Sequence, residues 1–99
     1  MAMQARISTI EGDGARVDDA VRIINEKILP ILKGLKGFTA ANFLADRSAG
    51  KLVAVAFWQD EAALEGSAKA VKPMRAEVAE AMNGRIVGSE SYELVAQSW

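Results

Sequence analysis

Apolar positions along the chain change period several times, and each change marks an element. "QARISTIEG" (Gln4 to Gly12) is short and β-like, with Ile7 on one face and Ile10 on the other. "EGDG" signals a turn. From Arg16 the period becomes helical: Val17, Val21, Ile24, Ile28, Leu32 and Leu35 recur at spacings of three and four. Asp13 suits an N-cap, and Asp18 and Asp19 put negative charge near the positive helix end. Pro30 lacks a backbone N–H, which predicts a kink or an early end to this helix. The lysines and glycines of "KGLKG" suit a helix C-terminus.

"FTAANFLADRS" (Phe38 to Ser48) reads as a second strand, and "DRSAG" (Asp46 to Gly50) as a hairpin-length loop. "KLVAVAFW" (Lys51 to Trp58) is a third strand. Asp60 follows as an N-cap with Glu61 in the first turn. A helix then runs through Leu64, Ala68, Val71, Met74, Val78 and Met82, with Pro73 expected to interrupt it. Asn83-Gly84 ends the helix, and "RIVGSESYELVAQ" (Arg85 to Gln97) is a fourth strand.

The order βαββαβ predicts an α+β, ferredoxin-like fold: a four-stranded antiparallel sheet with two helices on one face. The third strand does not alternate apolar with polar. Val53, Val55 and Phe57 point one way, and Leu52, Ala54, Ala56 and Trp58 the other. The helices cover one face only. Each large apolar side chain left wet on the other forgoes roughly 1.5–3 kcal/mol. A second copy of the sheet packed face to face is the simplest cover, so a homodimer through the open sheet face is expected.

Composition narrows the chemistry. Ninety-nine residues read as a single domain, residues 1–99. The apolar share of 51% gives an interface somewhere to come from. A net charge of −1 gives no pull toward nucleic acid or an anionic membrane. No apolar run approaches the ~18 residues of a membrane span, and "MAMQARISTI" has no signal-peptide pattern, so a cytoplasmic location is expected. The sequence holds neither cysteine nor histidine. That removes thiolate chemistry, the commonest metal ligand and the commonest general base near neutral pH. No metal-ligand spacing occurs, and "GDG" lacks the downstream lysine and serine of a phosphate loop.

"ILPILKGLKGF", "LADRSAGKLVAVAFWQDEAALEGS" and "ESYELV" together resemble the antibiotic biosynthesis monooxygenase-like domains of the dimeric α+β barrel superfamily. The anchors are Gly37-Phe38, Trp58-x-Asp60 and Glu90-x-Tyr92-Glu93. The resemblance implies a homodimeric barrel with a small apolar pocket between sheet and helices in each subunit. It also implies cofactor-free oxygenation of a small aromatic, a quinol or polycyclic phenol. The haem-degrading branch fits poorly. It uses a helix-borne histidine and tryptophan, where this chain's second helix has Ser67, Ala68 and Ala70. No cofactor and no metal are therefore expected.

Five residues are candidates for the site. Tyr92, the one tyrosine, is the best available proton donor, and Asn42 is a mid-strand polar that could hold a carbonyl or enolate. These two are the catalytic candidates. Trp58, Arg75 and Ser67 are the substrate-binding candidates. Each also has a plainer reading. Trp58 is a core aromatic, Asn42 a dimer contact, Tyr92 a half-buried strand aromatic, and Arg75 an ion pair with Glu61, Glu65, Glu77 or Glu80. Ser67 has no histidine to activate it as a nucleophile. Enzyme and non-catalytic readings both remain open. The second is a dimeric small-molecule binder or accessory protein. A shared pocket for Asn42, Tyr92 and Trp58 is the feature that favours the enzyme.

Overall fold

Strand β1 (Gln4–Glu11) opens the chain in a computed structural model that describes residues 2–98. A 3-10 turn, Gly14–Arg16, follows, and Asp13 Oδ1 accepts from the Ala15 N–H at its start. Helix α1 (Val17–Ile23) runs into a π-helical turn, Ile24–Ile28, and then α2 (Leu29–Lys33). Pro30 sits in the first turn of α2, where a missing N–H costs least. The expected kink thus takes the form of a wider turn just before the proline.

Strands β2 (Phe38–Asp46) and β3 (Lys51–Trp58) form the expected hairpin. Gly50 closes its turn with φ +64, and a Cβ there would run into the Gly12 carbonyl oxygen. Asp60 caps α3 (Glu61–Gly66) by accepting from the Ala63 N–H at 2.8 Å. The second helical segment breaks at Ser67, ahead of α4 (Ala68–Ala81), and not at Pro73. Pro73 lies inside α4 with its ring exposed, one turn above an exposed Lys69 whose carbonyl can turn to water. Strand β4 (Arg85–Glu93) stops short of the expected Gln97.

The sheet order is β2-β3-β1-β4 and all neighbours are antiparallel. This is the ferredoxin-like α+β arrangement expected from the order of elements. The helical layer covers the face that carries Ile10, Leu52 and Trp58, which are 2%, 1% and 0% exposed. Val17, Ile24, Ile28 and Leu32 pack down from the first helical segment, and Leu64, Val71, Met74 and Val78 from the second.

The other face is laid out by the register in three rows. One row runs Tyr92, Ala5, Phe57, Ala40; the next Glu90, Ile7, Val55, Asn42; the last Gly88, Thr9, Val53, Leu44. Leu44 is 55% exposed and Tyr92 53%. Val53, Val55 and Phe57 stay partly open, as expected for an apolar face with none of the described residues packed above it.

Candidate functional site

A cavity of about 50 Å³ lies between the sheet and the helices. Ile28 and Leu32 close it from the first helical segment, Phe43 and Leu52 from the sheet, and Val71 and Met74 from α4. Arg6, Ser8 and Arg75 also border it, but with their apolar atoms, so that the wall is almost wholly apolar. Strand parity explains the first two. Arg6 and Ser8 alternate in step with the buried Ile10, so they point into the helical face.

Arg75 leaves α4 half-buried and reaches back to the sheet. Its Nη1 donates to Ser8 Oγ at 3.3 Å and to Ser89 Oγ at 2.5 Å. Ser8 and Ser89 are themselves a cross-strand pair of β1 and β4. Arg75 Nε is buried and has no hydrogen-bond partner among the described residues. The expected ion pair with a helix glutamate is not what forms. Glu77 pairs with Lys27 at 2.9 Å instead, because Arg75 turns toward the sheet.

Arg6 is held by the break between α3 and α4. Its Nη1 donates to Ser67 Oγ at 2.9 Å and its Nη2 to the Leu64 carbonyl at 2.8 Å, one of the unpaired carbonyls at the end of α3. Its guanidinium also lies 6.0 Å from the Trp58 ring centroid, at cation–π range. Burial, and then the nearby positive charge of Arg75, push the Arg6 pKa down from its ordinary value.

Trp58 is wholly buried beside Phe38, with ring centroids 5.5 Å apart in an edge-to-face contact. Its indole Nε1 is buried without a partner among the described residues. An orphaned buried donor costs about 1–3 kcal/mol. Trp58 is thus a core residue with one unspent hydrogen bond, next to Arg6 but not itself on the cavity wall.

Ser67 is buried and fully engaged. Its hydroxyl donates to the Leu64 carbonyl at 2.7 Å and accepts from Arg6. It positions Arg6.

The shared pocket for Asn42, Tyr92 and Trp58 that would favour the enzyme does not form. Asn42 pairs with Val55 and Tyr92 with Ala5, both on the open face, whereas Trp58 points to the helices. A register shift between Phe38 and Ala40 adds to the separation, because it turns Phe38 to the Trp58 side and leaves Ala40, Asn42 and Leu44 on the other. Asn42 and Tyr92 also sit on opposite edge strands, three inter-strand steps or roughly 14 Å apart. Arg6 is the site residue that the residue pattern did not single out. Its signal was a charge that alternates in step with the apolar Ile10, and so falls on the face turned to the helices.

Among the described residues, no group of three or more histidine, cysteine, aspartate or glutamate side chains is placed to hold a metal ion. No helix among them is long and apolar enough to cross a membrane.

No family model matches the chain. The uncharacterized protein Rv2557 of Mycobacterium tuberculosis is 29% identical over 92 residues, which is 93% of this chain but 41% of that protein. The chain thus spans less than half the length of this relative. Among solved structures, a monooxygenase of Streptomyces coelicolor in complex with nanaomycin D aligns over 99% of this chain and 89% of its own, at TM-score 0.64 and 19% identity. A cofactor-independent oxygenase of Streptomyces nogalater aligns over 100% and 97%, at TM-score 0.60 and 17% identity. A dimeric ferredoxin-like protein from an uncultured marine organism aligns over 99% and 100%, at TM-score 0.65 and 13% identity. The chain therefore has the fold of the antibiotic biosynthesis monooxygenase-type, dimeric ferredoxin-like proteins.

Proposed function

We propose that the protein is a cofactor-independent monooxygenase that acts on a small, electron-rich aromatic, a quinol or polycyclic phenol, in the cavity between sheet and α4. The observation that carries this reading is the cavity itself: an apolar space between sheet and helices, walled by Ile28, Leu32, Phe43, Leu52, Val71 and Met74. Two neighbours of the same fold are described as a monooxygenase and a cofactor-independent oxygenase, which supports the reading. Fold alone does not assign a reaction.

The chemistry asks little of the protein. An ionised, electron-rich ring supplies electrons to dioxygen. One oxygen atom stays on the carbon, and the other leaves as water with two hydrogens from the substrate. The chain must hold the anion, exclude water and present fixed donors where charge develops. The donors without a partner among the described residues are Arg75 Nε and Trp58 Nε1, both buried and out of contact with the cavity until a side chain moves.

The site is one of two in a homodimer that joins through the open sheet face. On this reading Asn42 and Tyr92 belong to that interface. The dimeric neighbour of the same fold supports it.

A second reading is a non-catalytic binder of the same ligand class. The placement of Asn42 and Tyr92 on the open face, away from an apolar cavity, favours it. Under either reading the cavity must open: about 50 Å³ is a third of the roughly 150 Å³ in which an engineered apolar cavity takes benzene. Met74 and Val71 must move before a ring fits, and methionine does so at little cost. An oxygen-electrode screen with quinols and anthrone-like phenols separates the two readings. Uptake that depends on protein concentration is expected; binding without uptake overturns the enzymatic reading.

A further inference from the structure

We infer that the π-helical turn and α2, residues 24–33, form the door of the cavity. The door swings away from α4 along a seam that the Lys27–Glu77 ion pair bridges, and a ligand enters between the two. That the door serves a ligand rests on the reading of the cavity as a binding site; that it opens does not.

The cavity needs an entrance. It lies behind Ile28 and Leu32 on one side and Val71 and Met74 of α4 on the other, all four buried. A ring reaches it only if a wall moves. The floor is held, because Leu52, Ala54 and Ala56 belong to β3, which is paired to a neighbour on each side. A buried ladder of this kind is the last part of a domain to open.

The other walls are tied as well. Arg75 bonds Ser8 and Ser89 from the middle of α4, and Ser67 at its head is held to Arg6 of β1. Helix α1 is fixed by Val17 and Ala20, both fully buried, and by Asp18, which pairs with Arg47 at 2.9 Å. Residues 24–33 have no such anchor. Among the described residues, their one side-chain hydrogen bond or ion pair to another element is Lys27 to Glu77, at 2.9 Å, and both side chains are open to water. An exposed pair of this kind holds weakly.

The backbone is loosest at the same place. In the π-helical turn the Leu29 N–H reaches back five residues to the Ile24 carbonyl, a wider ring than an α-helix uses. Pro30, the next residue, has no N–H to give. Across the seam, Pro73 withholds the bond that the Lys69 carbonyl would accept. Ile28 and Val71, one on each wall of the cavity, each stand two residues before a proline. Gly34 ends α2, and Gly37 with φ +79 turns the chain into β2, which supplies a hinge at the far end. On the outside, the seam is an open groove walled by Ile23, Pro73, Ala76 and Ala81. Side chains this small leave few atoms in contact across it.

Native-state hydrogen exchange tests the door without any ligand. The Leu29 and Leu32 amides should exchange through a local opening, about tenfold or more faster than those of Met74 and Ala79 in α4. Glu77→Gln should speed Leu29 and Leu32 roughly two- to fivefold and leave Met74 and Ala79 unchanged. The chain has no cysteine, so Lys27→Cys with Glu77→Cys supplies its two thiols, and a short bis-maleimide joins them across the seam. The cross-link should slow Leu29 and Leu32 about tenfold relative to the same variant capped with N-ethylmaleimide. Exchange of Leu29 and Leu32 as slow as that of Met74 and Ala79, or unmoved by the cross-link, overturns the door.

Fluorobenzene, an uncharged ring, tests the path of a ligand. The Met74 methyl resonance reports its entry into the cavity, and its fluorine line shape reports the exchange rate. Cross-linking should slow that exchange about tenfold. An unchanged rate places the entrance elsewhere and overturns the door as the way in. No shift of the Met74 resonance at millimolar fluorobenzene overturns the cavity as a ligand site instead, and hydrogen exchange still decides whether residues 24–33 open.

Discussion

Arg75 and Ser8 meet across the interior, Nη1 to Oγ at 3.3 Å, and this contact brings α4 to the inward edge of β1. The bond is long and shared with Ser89, while Arg75 Nε beside it has no partner among the described residues. Arg75 is thus poorly satisfied as a structural residue.

Arg75→Met should therefore barely change stability. The lost hydrogen bonds cost about 1 kcal/mol each, and removal of a buried unpaired donor returns about 1–3 kcal/mol. A thermal melt should shift by no more than about 5 °C in a domain of this size. A fall of 15 °C or more would make Arg75 a structural residue.

Trp58 separates packing from hydrogen bonding. Trp58→Ala should cost on the order of 3–5 kcal/mol, since the ring is wholly buried against Phe38 and Arg6. Trp58→Phe keeps most of the contact and deletes the orphaned N–H. Urea unfolding should place it within about 1.5 kcal/mol of the parent. A loss equal to that of the alanine variant would show that the indole N–H is satisfied after all.

Gly50 is the strictest backbone position in the hairpin. Gly50→Ala combines φ +64 with a collision at the Gly12 carbonyl, which also accepts no relief from the Gly12 N–H bond to Gly50 at 2.8 Å. The expected loss is about 2–3 kcal/mol in a chemical melt. A neutral result would mean that the turn can reopen without disturbing β1.

The open face should behave as an interface between copies. Ile7 lies in the middle row of that face, between Val55 and Glu90. Ile7→Glu puts a charge at its centre, and light scattering should then report monomer where the parent chain gives dimer. A monomeric parent at micromolar concentration would remove the dimer from the account.

Much of this was legible in the residue pattern, because it rests on parity and caps. The two faces of β3, the Asp60 cap and the order of elements follow from local periodicity, and the fold realises them. Cross-strand neighbours were not legible. Nothing local to Asn42 says that its strand lies two places from β4's partner, or that a bulge after Phe38 turns that ring toward Trp58. Pro73 misled for a related reason. Its cost depends on whether the Lys69 carbonyl can reach water, which tertiary packing decides. Arg6 was readable by parity with Ile10, but its importance comes from α3 and α4, some sixty residues away in sequence.

A crystal structure of the protein soaked with 4-nitrophenol tests the location of the site most directly. The account predicts a ring in the cavity, between Met74 and Leu52. A ring bound only on the open face of the sheet, beside Tyr92 or Asn42, would contradict it.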